Sequence, residues 1–244
     1  MKAIKFIPFV SVLFVPTVLG FDVKQTDSAP LIDGINNDSA WQNIAWRPIN
    51  QLLLGAKPTA EDFSGQFKLT WTPEKLYLIA EITDDVLLDK YADPLELYWE
   101  DDSLEILLDE NGSGGDHLTN YNAFAYHVAL DNQSVDIDNT GKPRLFNDHV
   151  ESKWQRDPAT GNVIWELGIT LYDESFDHNA TKKPSPPETL FAGKNLSIMV
   201  AYCDADADDG RQSFVTSFDV EPVNGDKNRG YIDSSVFEPI TLIK

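Results

Sequence analysis

Between Leu97 and Asp116 the chain reads LYWEDDSLEILLDENGSGGD, which sets a tryptophan, Trp99, beside Glu100, Asp101, Asp102 and Glu105 and then adds acid in a glycine-rich turn. Residues of these types at this density serve three chemistries: a carboxylate pair that cleaves a glycosidic bond, oxygen ligands for a divalent cation, or acceptors for the hydroxyls of a ligand stacked on the indole. If residues 103–109 form a strand, Leu104, Ile106 and Leu108 point to one face and Glu105 and Leu107 to the other. Glu105 then stands either on a solvated sheet surface or on the floor of a binding face. Trp99 is either core or, in a loop before the strand, a stacking platform with polar neighbours. Sugars suit the second arrangement, because the C–H faces of a pyranose pack on an aromatic ring while its hydroxyls need partners around the rim. Hydrolysis needs two carboxylates roughly 5–10 Å apart across the scissile bond, and this stretch offers too many acids to choose a pair.

Two loops carry spacings that suit a hard cation. Asp109, Asn111, Ser113 and Gly114 follow the first half of an oxygen-ligand calcium loop, but the twelfth position is Asn120 rather than a bidentate acid. In DADADDG, Asp204, Asp206 and Asp208 alternate, the glycine comes one place late and the twelfth position is Val215. Neither loop is an EF-hand. Each is either a solvated acidic turn or a calcium site on a sandwich loop, with Asp109, Asn111, Asp206 and Asp208 as candidate ligands.

Histidine is scarce: His117, His127, His149 and His178. His127 falls in NAFAYHVALD, where Ala125 and Ala129 share its face and leave open space above it. No histidine spacing suggests zinc, there is no Gly-x-Ser-x-Gly elbow or phosphate-binding glycine loop, and Cys203 has no partner signature of a thiol enzyme.

Short strands must position these groups. GQFKLTWT (65–72) alternates Phe67, Leu69 and Trp71 against polar residues, and after a turn LYLIAEIT (76–83) repeats the pattern, which reads as a hairpin. SLEILLD, NAFAYHVALD, NVIWELGITLY and LSIMVAYCD follow, separated by loops rich in Gly, Asn, Asp and Pro. Helical signal is confined to about one turn at DSAWQNI. Repeated short strands with such loops predict an all-β sandwich.

The first 20 residues, MKAIKFIPFVSVLFVPTVLG, have the two lysines, apolar middle and small closing residues of a secretory signal peptide, with the cut before Phe21. No cysteine follows the cut to carry a lipid, so a secreted or periplasmic protein is expected, with residues 21–244 as one domain and no membrane association after cleavage. The leader holds two of the 19 basic and none of the 40 acidic residues, so the remainder carries a net charge of −23. That field disfavours nucleic acid and anionic membrane surfaces and suits neutral ligands or divalent cations. With a lone Cys203, stability rests on the core rather than on an internal disulfide, and 42% hydrophobic residues supply one.

Taken in order, APLIDGINNDSAW (29–41), KLTWTPEKLYLIAEITDDVL (68–87), WEDDSLEILLDENGSG (99–114), NAFAYHVALD, WELGIT (165–170) and GYIDSSVFEPITLIK resemble the family 9 carbohydrate-binding modules. The resemblance spans nearly the whole chain after the leader, with 176–192 as an insertion. It implies a jelly-roll-like β-sandwich of two antiparallel sheets that binds sugars, often at the chain ends of plant polysaccharides, with calcium as a structural ion. Trp99 matches one stacking tryptophan of the family and Glu105 a sugar-contacting glutamate. His127 falls where the better-known members have an arginine. A second stacking tryptophan is expected near 216–219, where Ser217 and Phe218 stand instead; Phe218, Arg211 and Asp204 are the candidate substitutes. The expectation is a non-catalytic carbohydrate-binding protein, with two alternatives: a glycoside hydrolase, or a haem-binding sandwich using His127 and Met199.

Overall fold

The computed structural model describes residues 20–180, 184–207 and 210–244. Among these, fourteen strands are formed: β1 (Phe21–Lys24), β2 (Arg47–Ile49), β3 (Gln51–Gly55), β4 (Phe63–Trp71), β5 (Leu76–Asp84), β6 (Ser103–Asp109), β7 (Phe124–Ala129), β8 (Ser134–Ile137), β9 (Pro143–Leu145), β10 (Val150–Arg156), β11 (Val163–Ile169), β12 (Asn195–Asp204), β13 (Ser213–Thr216) and β14 (Glu238–Ile243). Two short 3-10 turns, Ser39–Trp41 and Ser234–Val236, are the helical content of the described residues. The turn expected at DSAWQNI is the first of them.

The strands form two sheets. One runs β1-β14-β12-β6-β7-β8-β9, with β13 pairing both β12 and β3; the other runs β10-β11-β5-β4-β2. All ladders are antiparallel except β1 with β14, which is parallel. The expected hairpin is β4–β5, in register from Phe63↔Asp84 to Trp71↔Leu76, and its turn is closed by Thr72 N donating to Lys75 O at 2.9 Å.

Period-two patterning places the core. Phe67, Leu69 and Trp71 of β4 and Leu76, Leu78, Ala80 and Ile82 of β5 face Leu104, Ile106 and Leu108 of β6 and Ile198, Val200 and Tyr202 of β12 in one buried layer between the sheets. Side chains there are nearly fully buried, so truncating one of them, such as Leu78, costs about 2–5 kcal/mol. Both outer faces are partly covered as well. On the five-stranded sheet, Trp41, Tyr77, Ile79 and Ile164 form a small cluster, and the indole N–H of Trp41 donates to the buried Glu166 at 2.8 Å. On the larger sheet, Leu107, Ala125, Met199, Ala201 and Cys203 lie under Leu53, Phe214, Val220 and Phe237. The second cover explains why every residue of β6 is buried, Ser103, Glu105, Leu107 and Asp109 of its outer face included.

Candidate functional site

The site lies on the outer face of the larger sheet. Its floor follows from register: Glu105 of β6 is directly opposite His127 of β7 on one side and Ala201 of β12 on the other. The small alanine leaves Glu105 in reach of Cys203, two residues further along β12. Glu105 Oε1 lies 2.8 Å from His127 Nε2 and accepts from Cys203 Sγ at 2.8 Å. Arg211 completes the group, its Nη1 donating to Cys203 Sγ at 3.2 Å while its guanidinium lies 4.8 Å from the centre of the Phe214 ring. Glu105 is 2% exposed, so of its two readings the solvated sheet surface does not hold.

These charges set one another. Burial pushes the Glu105 carboxyl up, but His127, the hydrogen bonds and Arg211 outweigh it and hold it below its ordinary value. Burial and the neighbouring Glu105 push the Cys203 thiol well up. Arg211 is held above its ordinary value: burial opposes that, and the adjacent Cys203 and Glu105 win.

One wall comes from the segment before β6, and here the opening acids find their use. Asp101 accepts the backbone N–H groups of Lys90 and Tyr91, each at 3.0 Å, and Asp102 accepts those of Leu88 at 2.6 Å and Ala205 at 2.8 Å. Glu100 Oε1 accepts the indole N–H of Trp99 at 2.8 Å, and Glu100 Oε2 accepts the backbone N–H of Arg211 at 2.9 Å. The Glu100 contact with the facing loop requires Gly210, at φ +93°, because a Cβ there would come within 2.2 Å of Glu100 Oε2. Three of the four acids beside Trp99 therefore hold loops in place, and Glu105 alone joins the floor. Leu97, at φ +47°, turns the chain so that Tyr98 and Trp99 follow. Tyr98 stands edge-on to Trp99 at 4.9 Å and to His127 at 4.7 Å between ring centres.

Floor and wall enclose a cavity of about 300 Å³ lined by Tyr98, Trp99, Glu105, His127, Arg211 and Tyr231, with Leu107, Ile137 and Phe214 among its apolar lining. Trp99 is half-buried and Tyr231 is 48% exposed. Tyr98 and Tyr231 escaped the sequence reading. The available signal was an aromatic in a loop rich in Asp, Asn and Gly, DKNRGYID, which alternation between strands cannot interpret. Four residues expected at the site thus meet in one cavity: Trp99, Glu105, His127 and Arg211.

The other two lie elsewhere. Phe218 packs against the outer apolar layer and does not line the cavity. Asp204 is buried with its Oδ2 accepting from Ser213 Oγ at 2.9 Å, in an acidic group apart from the cavity. Successive residues of a strand point to opposite faces, so Cys203 faces the cavity floor and Asp204 cannot. Met199, expected beside His127 in the haem reading, is fully buried in the outer layer and does not line the cavity either.

The candidate metal ligands separate. Asp109 is fully buried with its acceptor capacity engaged: Oδ1 takes the N–H groups of Asn111 and Gly112, and Oδ2 that of Gly114 and the hydroxyl of Ser234. Asn111 Oδ1 takes the N–H of Ser113 at 2.9 Å. Asp109 and Asn111 therefore organise the turn. Asp206 differs. Its carboxylate groups with Asp84 and Asp204, and in a second set with Asp62 and Asp85, ligand atoms within 4.8 Å of one another. Asp204 Oδ1 and Asp206 Oδ1 are buried without a hydrogen-bond partner. Burial, then mutual repulsion with the other acids, pushes Asp84, Asp204 and Asp206 each up to about 6. Unpartnered hard oxygens in an acidic group fit calcium. Asp208 lies outside the described residues.

A two-sheet sandwich with an aromatic-walled cavity and a buried polar floor on one outer face defines a class of small-ligand-binding β-domain. The family model "Carbohydrate family 9 binding domain-like" matches residues 32–244, and the chain belongs to that family. Among solved structures it is similar to a family 9 carbohydrate-binding module from Caldicellulosiruptor kristjanssonii in complex with glucose, at 20% identity and TM-score 0.64, covering 91% of this chain and 95% of that one. The same module in complex with cellotriose matches at 20% identity and TM-score 0.64, covering 91% and 93%. These likenesses establish the shared fold. No curated protein matches the chain.

Proposed function

We propose that this protein is an exported, non-catalytic carbohydrate-binding protein that holds the end of a glucan- or xylan-type oligosaccharide or polysaccharide in the course of its breakdown. The observation that carries this reading is that Trp99 and Tyr231 line the same cavity as Glu105 and His127. A pyranose stacks on the aromatic rings while its hydroxyls meet the polar floor, and the apolar lining excludes water from those bonds. Family membership and the sugars bound by the modules of similar fold support the ligand class. Glu105 is the single carboxylate among the described lining residues, whereas cleavage needs two facing groups, which favours holding a sugar over hydrolysing it.

Calcium belongs to the same proposal as a structural ion at Asp84, Asp204 and Asp206, away from the sugar. There it would supply positive charge to oxygens that otherwise repel one another and tie the end of β12 to the end of β5.

Isothermal titration against glucose, cello-oligosaccharides and xylo-oligosaccharides tests the reading. Binding is expected for at least one series and is lost in Trp99→Ala. Equal affinity in the variant and the parent protein would remove this cavity as the sugar site.

A further inference from the structure

The floor of the cavity contains a feature that sugar binding does not require. His127 Nδ1 lies 3.2 Å from the carbonyl oxygen of Ala125, and its Nε2 lies 2.8 Å from Glu105 Oε1. A carbonyl oxygen only accepts, so Nδ1 carries a proton. Nε2 then also faces an acceptor, and so does Cys203 Sγ at 2.8 Å from the same oxygen. Three different donor atoms, an imidazole nitrogen, a carboxylate oxygen and a sulfur, thus converge on one point, all within 4.8 Å of one another and all on buried residues. Bonds of about 2.0–2.3 Å to a tetrahedral ion separate its ligands by about 3–4 Å, and this set meets that spacing with small side-chain movements.

We infer that Glu105, His127 and Cys203 form a three-ligand site for a zinc-class divalent cation, with the fourth coordination position open to the cavity. Mixed nitrogen, sulfur and oxygen donors select a borderline-soft ion over calcium or magnesium. The Nδ1–H bond to Ala125 fixes the tautomer that leaves Nε2 free to bind metal, as in most histidine-ligated sites. Burial and Glu105 disfavour the thiolate that a metal ligand must be, and Arg211, with Nη1 3.2 Å from the sulfur, offsets part of that penalty, the rest falling to the metal–sulfur bond. Loading releases the thiol proton of Cys203, and any proton on Nε2, to solvent as the metal–sulfur, metal–nitrogen and metal–oxygen bonds form. The cavity leaves room at the fourth position for a water or a ligand oxygen. The site comes from three strands, β6, β7 and β12, which is why no local spacing announces it.

Cobalt(II) titration of the chelator-treated protein, in the absence of sugar, tests the inference. One equivalent is expected to give a thiolate-to-cobalt charge-transfer band and the intense visible bands of a four-coordinate ion, both removed by one equivalent of zinc. Cys203→Ser loses the charge-transfer band, and His127→Gln weakens binding at least tenfold, with each variant's fold checked by circular dichroism. A folded parent protein that shows no sulfur band, or a band that survives in Cys203→Ser, overturns the inference. Because no sugar is present, this outcome is separate from the titrations above, and cellotriose binding by metal-free protein would leave the carbohydrate reading standing.

Discussion

Glu105 and His127 face one another across the β6–β7 ladder, with Oε1 and Nε2 2.8 Å apart at the floor of the cavity. The pair is buried, and the carboxylate stays ionised there because His127 and Arg211 offset its burial. His127→Ala therefore leaves a buried carboxylate without its principal partner. Thermal or denaturant unfolding should show a loss of about 3–5 kcal/mol. A loss under about 1 kcal/mol would mean that Arg211 alone satisfies Glu105.

Tyr231 is the second aromatic ring that the sugar is expected to meet. Tyr231→Ala lowers affinity for the bound oligosaccharide roughly tenfold, and Tyr231→Phe retains most of it, since the contact is made by the ring face. Titration calorimetry separates these outcomes. Equal losses in both variants would assign the contribution to the hydroxyl instead.

Asp101 touches no ligand in this reading, yet it holds the segment that carries Trp99 through the N–H groups of Lys90 and Tyr91. Asp101→Ala releases that segment and raises the entropic cost of ordering the ring on binding. Affinity falls roughly tenfold while global stability changes by about 1–3 kcal/mol. Unchanged affinity would show that Tyr98 and Glu100 suffice to place the indole.

The acidic group and Glu105 respond to pH with opposite signs. Asp84, Asp204 and Asp206 are held at about 6, above their ordinary 3.8, so the folded protein keeps protons that the unfolded chain has already released. Their contribution to stability is fully present below the unfolded value and is lost as pH rises through about 6. Glu105, held below its ordinary value, contributes above the ordinary glutamate range, and that contribution is lost as pH falls through its own lowered value. In chelator, Tm is expected to decline between pH 4 and pH 7 through the aspartates. Calcium raises stability at pH 7 by about 2.7 kcal/mol at a hundredfold excess over its Kd, and Tm rises with it. Scanning calorimetry with Asp204→Asn as control checks this; an equal response to calcium in both proteins would place the ion elsewhere.

Asp109 carries the contrasting expectation. Its carboxylate closes the glycine-rich turn, so Asp109→Ala lowers stability by about 1–3 kcal/mol and leaves calcium stoichiometry unchanged. Calorimetry and metal titration on the same variant decide between the two roles.

Much of the architecture was legible along the chain. The alternation of Phe67, Leu69 and Trp71 against polar neighbours, and its repetition in six segments, defined strands, hairpin and sandwich, because a side-chain period of two commits one face to the core wherever that face is buried. The strands in 134–156 were not legible: VESKWQR is mostly exposed or half-buried and shows no apolar stripe. The same period placed Glu105 on the face opposite Leu104 and Ile106, and the order of the family's blocks singled out Trp99, His127 and Arg211.

What that outer face meets was decided only by the tertiary structure. Leu53, Phe214, Val220 and Phe237 bury it, Tyr231 arrives from a loop more than a hundred residues away, and register across β6, β7 and β12 brings Cys203 and His127 to one carboxylate oxygen. Acids close together in sequence, Asp101, Asp102 and Asp109, turned out to hold backbone N–H groups, while acids far apart, Asp84 and Asp204, became neighbours. Periodicity is a local property of a strand and can be read from it. Partners across a sheet depend on which distant strands pair and in which register, and a carboxylate's chemistry depends on those partners rather than on its neighbours along the chain.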